Sequence, residues 1–563
     1  MIKYLVVTIV LGLNASALAG NKKSIQWQIK KSTWTQSDER SFSEFIAKLG
    51  KAKKEGHCHT TDQCLKSSKA NPKYYQLNPV GLSSIFSDCA DLPYVLRAYF
   101  AWMNDLPFAF PTALHPATWY TPEKELIRNE IKELQIEMYS AGFFKKKKLK
   151  YQIKKLRKKL NDGRSKTPDL RYNHLGNVVT SKRLIENGDN INEVLRTIVN
   201  HISTASFRTN ASQSQREGLF RDTYPVEVSR DAIVPGTVLY DPNGHIAVVY
   251  EVTESGKIHL IDAHPDNSLT AITYGEKFKR TPVEIGGGFS NWRPFSYENG
   301  NVDFKDNSEL GDYSLEQFQK SSVYTYEQKD LSFYEYVRHK LSIGNLKYYP
   351  EIELTELLDE ICYDFKERAL AVEKAISANI HLKSHPATLP RNIYGTEGEW
   401  ETYSTPSRDA RLKSSIREGR NLISKILEGH ANGDESIIYH GENLKKDLER
   451  VYRERSSACQ IKVVGTTSRP YQFNLDKLID GIYDLSFDPY HCVELRWGLN
   501  DSSSLSACGD SSEKIHWYQA QEGLRMRIDR DYSLRMNYGA YELESAPISH
   551  VEREEISIKD LLY

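Results

Sequence analysis

Apolar positions change their period from one segment of the chain to the next. Between residues 122 and 160, Ile127, Ile131, Leu134 and Met138 are spaced by four, three and four, and Leu149, Ile153, Leu156 and Leu160 repeat those steps. Such spacing lines one face of a helix. The two sets are offset by 22 residues, one more than three heptads, so a single straight seam cannot carry both. The pattern predicts an antiparallel helical hairpin over 122–161 that turns near Gly142, with Pro122 at its start and Asn161-Asp162-Gly163 at its stop. Leu92, Val95, Leu96, Tyr99 and Phe100 predict a second, separate helix. From Asp231 to Arg293 the runs shorten and become β-branched, and 237–240, 246–252 and 258–263 read as strands broken by Pro-Asn-Gly and Ser-Gly turns. Residues 310–460 return to long charged helical stretches, for example 407–428 after Thr405-Pro406, and the last hundred residues keep no steady period.

Length adds domain count: 563 residues leave room for about three or four units of 100–200 residues. Lys plus Arg equals Asp plus Glu at 75 each, so no global field recruits nucleic acid or membrane. Charge is local instead. The first arm of the expected hairpin carries a net −2, and the second, with nine lysines and Arg157 from Lys145 onward, carries +10. That arm is a candidate contact for an anionic polymer, against the plainer reading of a solvated face whose arms attract each other. At the N-terminus Lys3, an apolar run over 4–13 and Ala17-Leu18-Ala19 have the three parts of a secretory signal peptide. We expect residues 1–19 to be such a signal on a bacterial protein, periplasmic or secreted, and no later run reaches the ~18 apolar residues of a membrane span.

Export makes the cysteines informative, because exported thiols oxidise. There are seven, so at least one is unpaired within the chain. Cys58–Cys64 and Cys492–Cys508 bracket short polar segments and are expected as disulfides, with Cys362 and Cys459 paired or buried. His57-Cys58-His59 with Cys64 lacks a second Cys-x-x-Cys, so no metal is expected there, and no cofactor motif is present. Gly286-Gly287-Gly288 reads as a flexible turn, and the aromatic, hydroxyl and charged run from Trp400 to Asp409 as a capped helix start.

Cys89 has a distinctive setting. It precedes the helix opened by Leu92-Pro93, where free N–H groups and the helix dipole favour a thiolate and can hold an oxyanion. A thiolate needs a base, and His245 begins an apolar strand directly after a turn. On the next strand Asp262 and His264 share a face. A turn centred on Ser255-Gly256 puts His264 diagonal to His245 and Asp262 opposite Val249, so strand pairing slightly favours His264 as the residue that orients His245.

Cys-x-Asp-Leu at a helix start, Pro235-Gly236-x-Val238, then Gly244-His245-Ile246-Ala247-Val248-Val249 and a following strand with an acid together resemble the papain-like NlpC/P60 and CHAP cysteine amidohydrolases and peptidases of bacterial cell walls. The resemblance implies an α+β fold with a papain-like domain over 20–300, interrupted by an insertion at about 111–200 that holds the hairpin, followed by a mainly helical region over 301–563 that resembles no family. It implies Cys89 as nucleophile, His245 as base, Asp262 as third member and His264 as a further polar residue. The substrate it implies is peptidoglycan or a cell-wall peptide, cleaved at an amide bond, with no cofactor. The alternative is a non-catalytic envelope-binding or scaffold protein on the same fold. Thr237 departs from the family's frequent Asp after Pro-Gly, and the long Cys89–His245 separation leaves the inserted segment as a possible cover of the cleft.

Overall fold

Phe42, Phe45, Ile46 and Leu49 recur every three or four residues and form the buried face of Gln36–Lys54 (α1) in the computed structural model of the chain. The structure describes residues 22–119, 122–161, 169–213, 221–298, 301–395, 398–509 and 511–563, and the export signal expected at 1–19 lies outside them. Thr35 and Asp38 close a capping box at the start of α1. The second long helix of this half, Leu92–Met103 (α2), is buried along its whole length, as its all-round apolar sequence requires.

The expected hairpin is present as Pro122–Ser140 (α3) and Phe143–Asn161 (α4), packed on each other around Ile131, Leu149 and Ile153. It rises from a two-stranded antiparallel ladder, Ala109–Pro116 with Asn177–Leu184. Tyr139, Phe143 and Phe144 at its turn are exposed.

The β-branched runs close into one six-stranded antiparallel sheet. Its strands are Thr223–Pro225 (β1), Val238–Asp241 (β2), His245–Val252 (β3), Ile258–Ala263 (β4), Leu269–Thr273 (β5) and Gly288–Trp292 (β6), in the order β1-β6-β2-β3-β4-β5. Strand alternation divides their side chains between two cores. Val238, Tyr240, Ile246, Val248 and Ile261 share one with α1 and α2. Leu239, Ala247, Val249, Leu260 and Phe289 share the other with Tyr324, Phe333, Val337 and Leu341, so the sheet's second core is completed by residues beyond 300. The Gly286-Gly287-Gly288 run is not a flexible turn. A Cβ on these residues would collide with the Thr209 carbonyl, the Thr281 side chain and Gln317, so glycine is needed for close packing.

The region after residue 301 is mainly helical. Pro350–Ser377 (α5) and Pro406–Ala431 (α6) pack together around Leu358, Phe365, Ile416 and Ile423, and the Cys362–Cys459 disulfide ties α5 to the end of the helix Leu444–Ala458. Helix α5 also covers the edge of the sheet. The outward N–H groups of Ala271 and Thr273 on β5 donate to the Tyr363 hydroxyl (3.3 Å) and the Glu360 carboxylate (3.0 Å), which blocks further strand pairing there.

Candidate active site

Asp88 organises the turn that carries Cys89. Its Oδ1 accepts from the N–H groups of Ala90 (2.8 Å) and Asp91 (3.2 Å), Asp91 Oδ1 accepts from the Asp88 N–H (2.9 Å), and the Leu92 N–H donates to the Asp88 carbonyl (3.1 Å). Cys89 therefore sits at the opening of α2, in a reciprocally capped turn. Upstream, Thr61 and Ser87 hydroxyls bond at 2.6 Å and the Ile85 N–H donates to Asp62 at 3.0 Å. The Cys58–Cys64 disulfide staples that supporting loop, and Cys492–Cys508 and Cys362–Cys459 take four more cysteines, leaving Cys89 as the free thiol.

The position is as expected, but the charge state is not. Burial first, and then the Asp88 carboxylate, hold the Cys89 thiol well above its ordinary value. Two acids flank the sulfur, which opposes the helix dipole, although Asp91 is itself pushed up to about 9 by burial and Asp88 and is neutral near pH 7. Two of the helix-start N–H groups are already bonded to Asp88, so the group left for an oxyanion is the N–H of Cys89 itself. The thiol lies 3.9 Å from the Gly244 carbonyl and accepts from the Ile246 N–H, the two neighbours of His245 in sequence. It makes no hydrogen bond to the His245 ring.

His245 is aimed by a tight turn. Asp241 pairs with His245 across β2 and β3, and Gly244 takes φ +76°, a left-handed conformation suited to glycine. His245 Nε2 lies 2.5 Å from Asp262 Oδ2, which leaves Nδ1 as its unprotonated nitrogen when the ring is neutral. Asp262 is fully buried, and Thr270 Oγ1 donates to its Oδ1. His264 Nε2 reaches Thr270 Oγ1 at 3.1 Å and stays 3.7 Å from Asp262 Oδ1. Asp262 thus contacts His245 directly, and His264 stands behind it. The pairing estimate that favoured His264 fails through two one-residue shifts: the turn pairs Val252 with Ile258, and a bulge at Tyr250 then pairs Val249 with Leu260 and Val248 with Ile261, which together bring Asp262 two positions nearer the His245 end of β3. Burial would raise the Asp262 carboxyl, but His264 and the His245 hydrogen bond bring it well below the usual carboxylate range. Burial lowers His245 below the ordinary histidine value, partly offset by Asp262, and lowers His264 further with help from Arg408.

Cys89, His245 and His264 open on one cleft of about 110 Å³. Its remaining wall comes from the C-terminal half: Tyr394, Trp400, Glu401, Arg408 and Arg411, with Arg530 and Tyr532 from near the chain's end. No described residue of the hairpin lines it. The run from Trp400 to Asp409 is therefore more than a capped helix start. Residues 400–408 contribute to the cleft, and Thr405 makes no side-chain cap to α6. Concentrated Trp, Glu, Thr, Ser and Arg ahead of a helix was the signal in the sequence. A larger cavity of about 390 Å³ lies between the sheet and α5 and α6 and includes neither Cys89 nor His245. Cys492, Glu494 and Cys508 bring three metal-ligand atoms together, but the two sulfurs are joined as a disulfide. Scans against protein-family models, curated proteins and solved structures find no match to this chain.

Proposed function

We propose that the protein is an exported bacterial cysteine amidase or peptidase of papain-like design, acting on amide bonds of cell-wall peptides. The observation that carries this reading is the buried Asp262–His245 pair beside the free Cys89 thiol in one cleft. A helix-start cysteine packed against an antiparallel sheet that carries the histidine is the arrangement expected of a papain-like core. The three disulfides suit an oxidising compartment, and no helix of the described residues is long and apolar enough to cross a membrane.

Because the resting thiol is protonated, the chemistry runs by general-base catalysis rather than from a preformed ion pair. His245 Nδ1 takes the Cys89 proton as the sulfur attacks the substrate carbonyl. Asp262 holds the resulting imidazolium, and the oxyanion is stabilised at the Cys89 N–H. The protonated ring then gives its proton to the leaving amine as the C–N bond breaks. Water, deprotonated by the same ring, attacks the thioester, and the acid leaves as the thiol is restored. Small shifts must first bring the sulfur from Gly244 and Ile246 to the ring. Digestion of purified sacculi followed by mass analysis tests the reading. Wild type should release amide-cleaved fragments, and Cys89→Ser should bind and fold but release none.

One observation favours the non-catalytic alternative: the sulfur bonds backbone rather than the His245 ring. Sacculi bound equally by wild type and Cys89→Ser with no fragment from either would establish that alternative.

A further inference from the structure

Nine arginines are buried among the described residues, and each except Arg411 donates at least one hydrogen bond to a described residue. Arg368 is held by Asp409 and Arg530 by Asp241 at 2.6 Å each, the usual way to bury a guanidinium. Arg411 is 7 % exposed and makes neither a hydrogen bond nor an ion pair with a described residue. It lines the Cys89 cleft. Burying a guanidinium without a bonded partner is costly, and an anionic ligand would remove that cost.

Three further features converge on the same wall. Arg408, one turn earlier on α6, lines the cleft and also makes no hydrogen bond or ion pair with a described residue. The 26-residue α6 opens there, with Pro406 in its first turn and no side-chain cap from Thr405, so the positive end of its dipole faces the cleft. None of the nearby described acids bonds either arginine. Asp262 holds His245 and Thr270, while Asp266 holds Ser268 and lies 3.5 Å from Lys374. Asp364 lines a neighbouring small pocket with both arginines and lies 3.9 Å from Lys277, and Glu401 lines the cleft without an ion pair to either arginine.

We infer that this wall is a carboxylate-binding subsite: Arg411 and Arg408 receive a carboxylate of the substrate and hold it beside the amide presented to Cys89. The inference rests on the proposed hydrolase reading for the identity of the substrate, but the anion site itself does not. A guanidinium pairs with a planar carboxylate through two parallel N–H donors, and a terminal or side-chain carboxylate of a peptide has that form.

The test uses the full-length oxidised protein, in which Cys89 is the free thiol, and reads alkylation by mass spectrometry. Iodoacetate and iodoacetamide differ by one carboxylate. The iodoacetate-to-iodoacetamide rate ratio for native protein should exceed that of the unfolded chain roughly tenfold, and Arg411→Gln should return it to the unfolded value. Arg408→Gln, at a half-buried position, serves where Arg411→Gln does not fold, and should lower the ratio in the same direction. A ratio equal in wild type and both variants would overturn the subsite. Peptide substrates separate the two claims. Loss of kcat/KM on amidating one carboxylate, at the terminus or on a side chain, supports the subsite and identifies which carboxylate it takes. Equal turnover of acid and amide peptides overturns the subsite and leaves the hydrolase. No turnover of any peptide with the alkylation ratio intact overturns the hydrolase and leaves the subsite.

Discussion

At the scale of single residues the site is defined by where protons rest. Burial and Asp88 raise the Cys89 thiol, while burial lowers His245, so both are neutral near pH 7. Raising a thiol's value reduces its thiolate fraction at every pH below it. Native Cys89 should therefore react with iodoacetamide more slowly than the unfolded chain at pH 7, and its rate should still be climbing above pH 9, where the unfolded thiol levels off. Faster labelling of native protein at pH 7 would instead reveal a thiolate–imidazolium pair. His245 has the opposite sign. With its value below the ordinary range, it remains an available base as pH falls through 6.5, and the acid limb of kcat/KM should lie below that point. Asp262→Asn should keep the fold and lower kcat by roughly 10³–10⁴-fold, because an amide cannot stabilise the imidazolium. His264→Gln, which removes a group bonded to Thr270 and 3.7 Å from Asp262 but leaves the His245–Asp262 bond, should cost less. The four site residues were legible in the sequence because each stands at the start or end of a regular element. Their protonation was not, since it depends on Asp91 folding back beside Asp88 and on the burial that the second half of the chain supplies.

At the scale of elements, period alone located the helical hairpin and three central strands, since these elements bury one face or alternate between two cores. Register was harder to read. The turn after Val252 and one bulge residue at Tyr250 each shift the pairing by one, and nothing in 246–252 marks the bulge. The hairpin has a property that the sequence raised and the fold sharpens. Its +10 arm is exposed along most of its length, and Tyr139, Phe143 and Phe144 are exposed at its turn beside Lys145–148. Aromatic side chains next to clustered lysines are suited to an anionic surface, where rings enter the interface and ammonium groups meet phosphate. Since the hairpin contributes nothing to the cleft and leaves through a separate ladder, deletion of 122–161 should preserve Cys89 alkylation and the thermal midpoint of the core. The same deletion should weaken binding to phosphatidylglycerol vesicles or sacculi at low salt, with the difference vanishing as ionic strength rises. Equal binding of both proteins across the salt series would assign the hairpin's charge to mere solvation.

At the scale of the whole molecule the two halves are one folding unit built around the cleft. Helix α5 closes the edge of β5, residues 324–341 complete the second core of the sheet, and 394–411 with 530–532 complete the wall of the Cys89 cleft. None of this could be read from local pattern, because the contacts join segments distant in sequence, from 87 and 92 residues at the sheet edge to 289 between Asp241 and Arg530. The deepest link is Arg530 to Asp241, an ion pair at 2.6 Å between residues 4 % and 0 % exposed. Asp241 is the residue paired with His245 across the β2–β3 turn, and Arg530 lines the cleft, so the far end of the chain clamps the turn that aims the base. Removing one partner of a buried pair strands the other charge, at a cost of about 3–5 kcal/mol, whereas removing both leaves no unpaired ion. Arg530→Met and Asp241→Asn should each lower the unfolding free energy by about that amount, and the double variant should recover a large part of the loss. Both single variants should also depress peptide turnover, since the displaced turn carries His245. Calorimetry of wild type should show one cooperative transition. Two transitions, with additive losses in the double variant, would mean that the halves fold separately and that the clamp on His245 carries no weight.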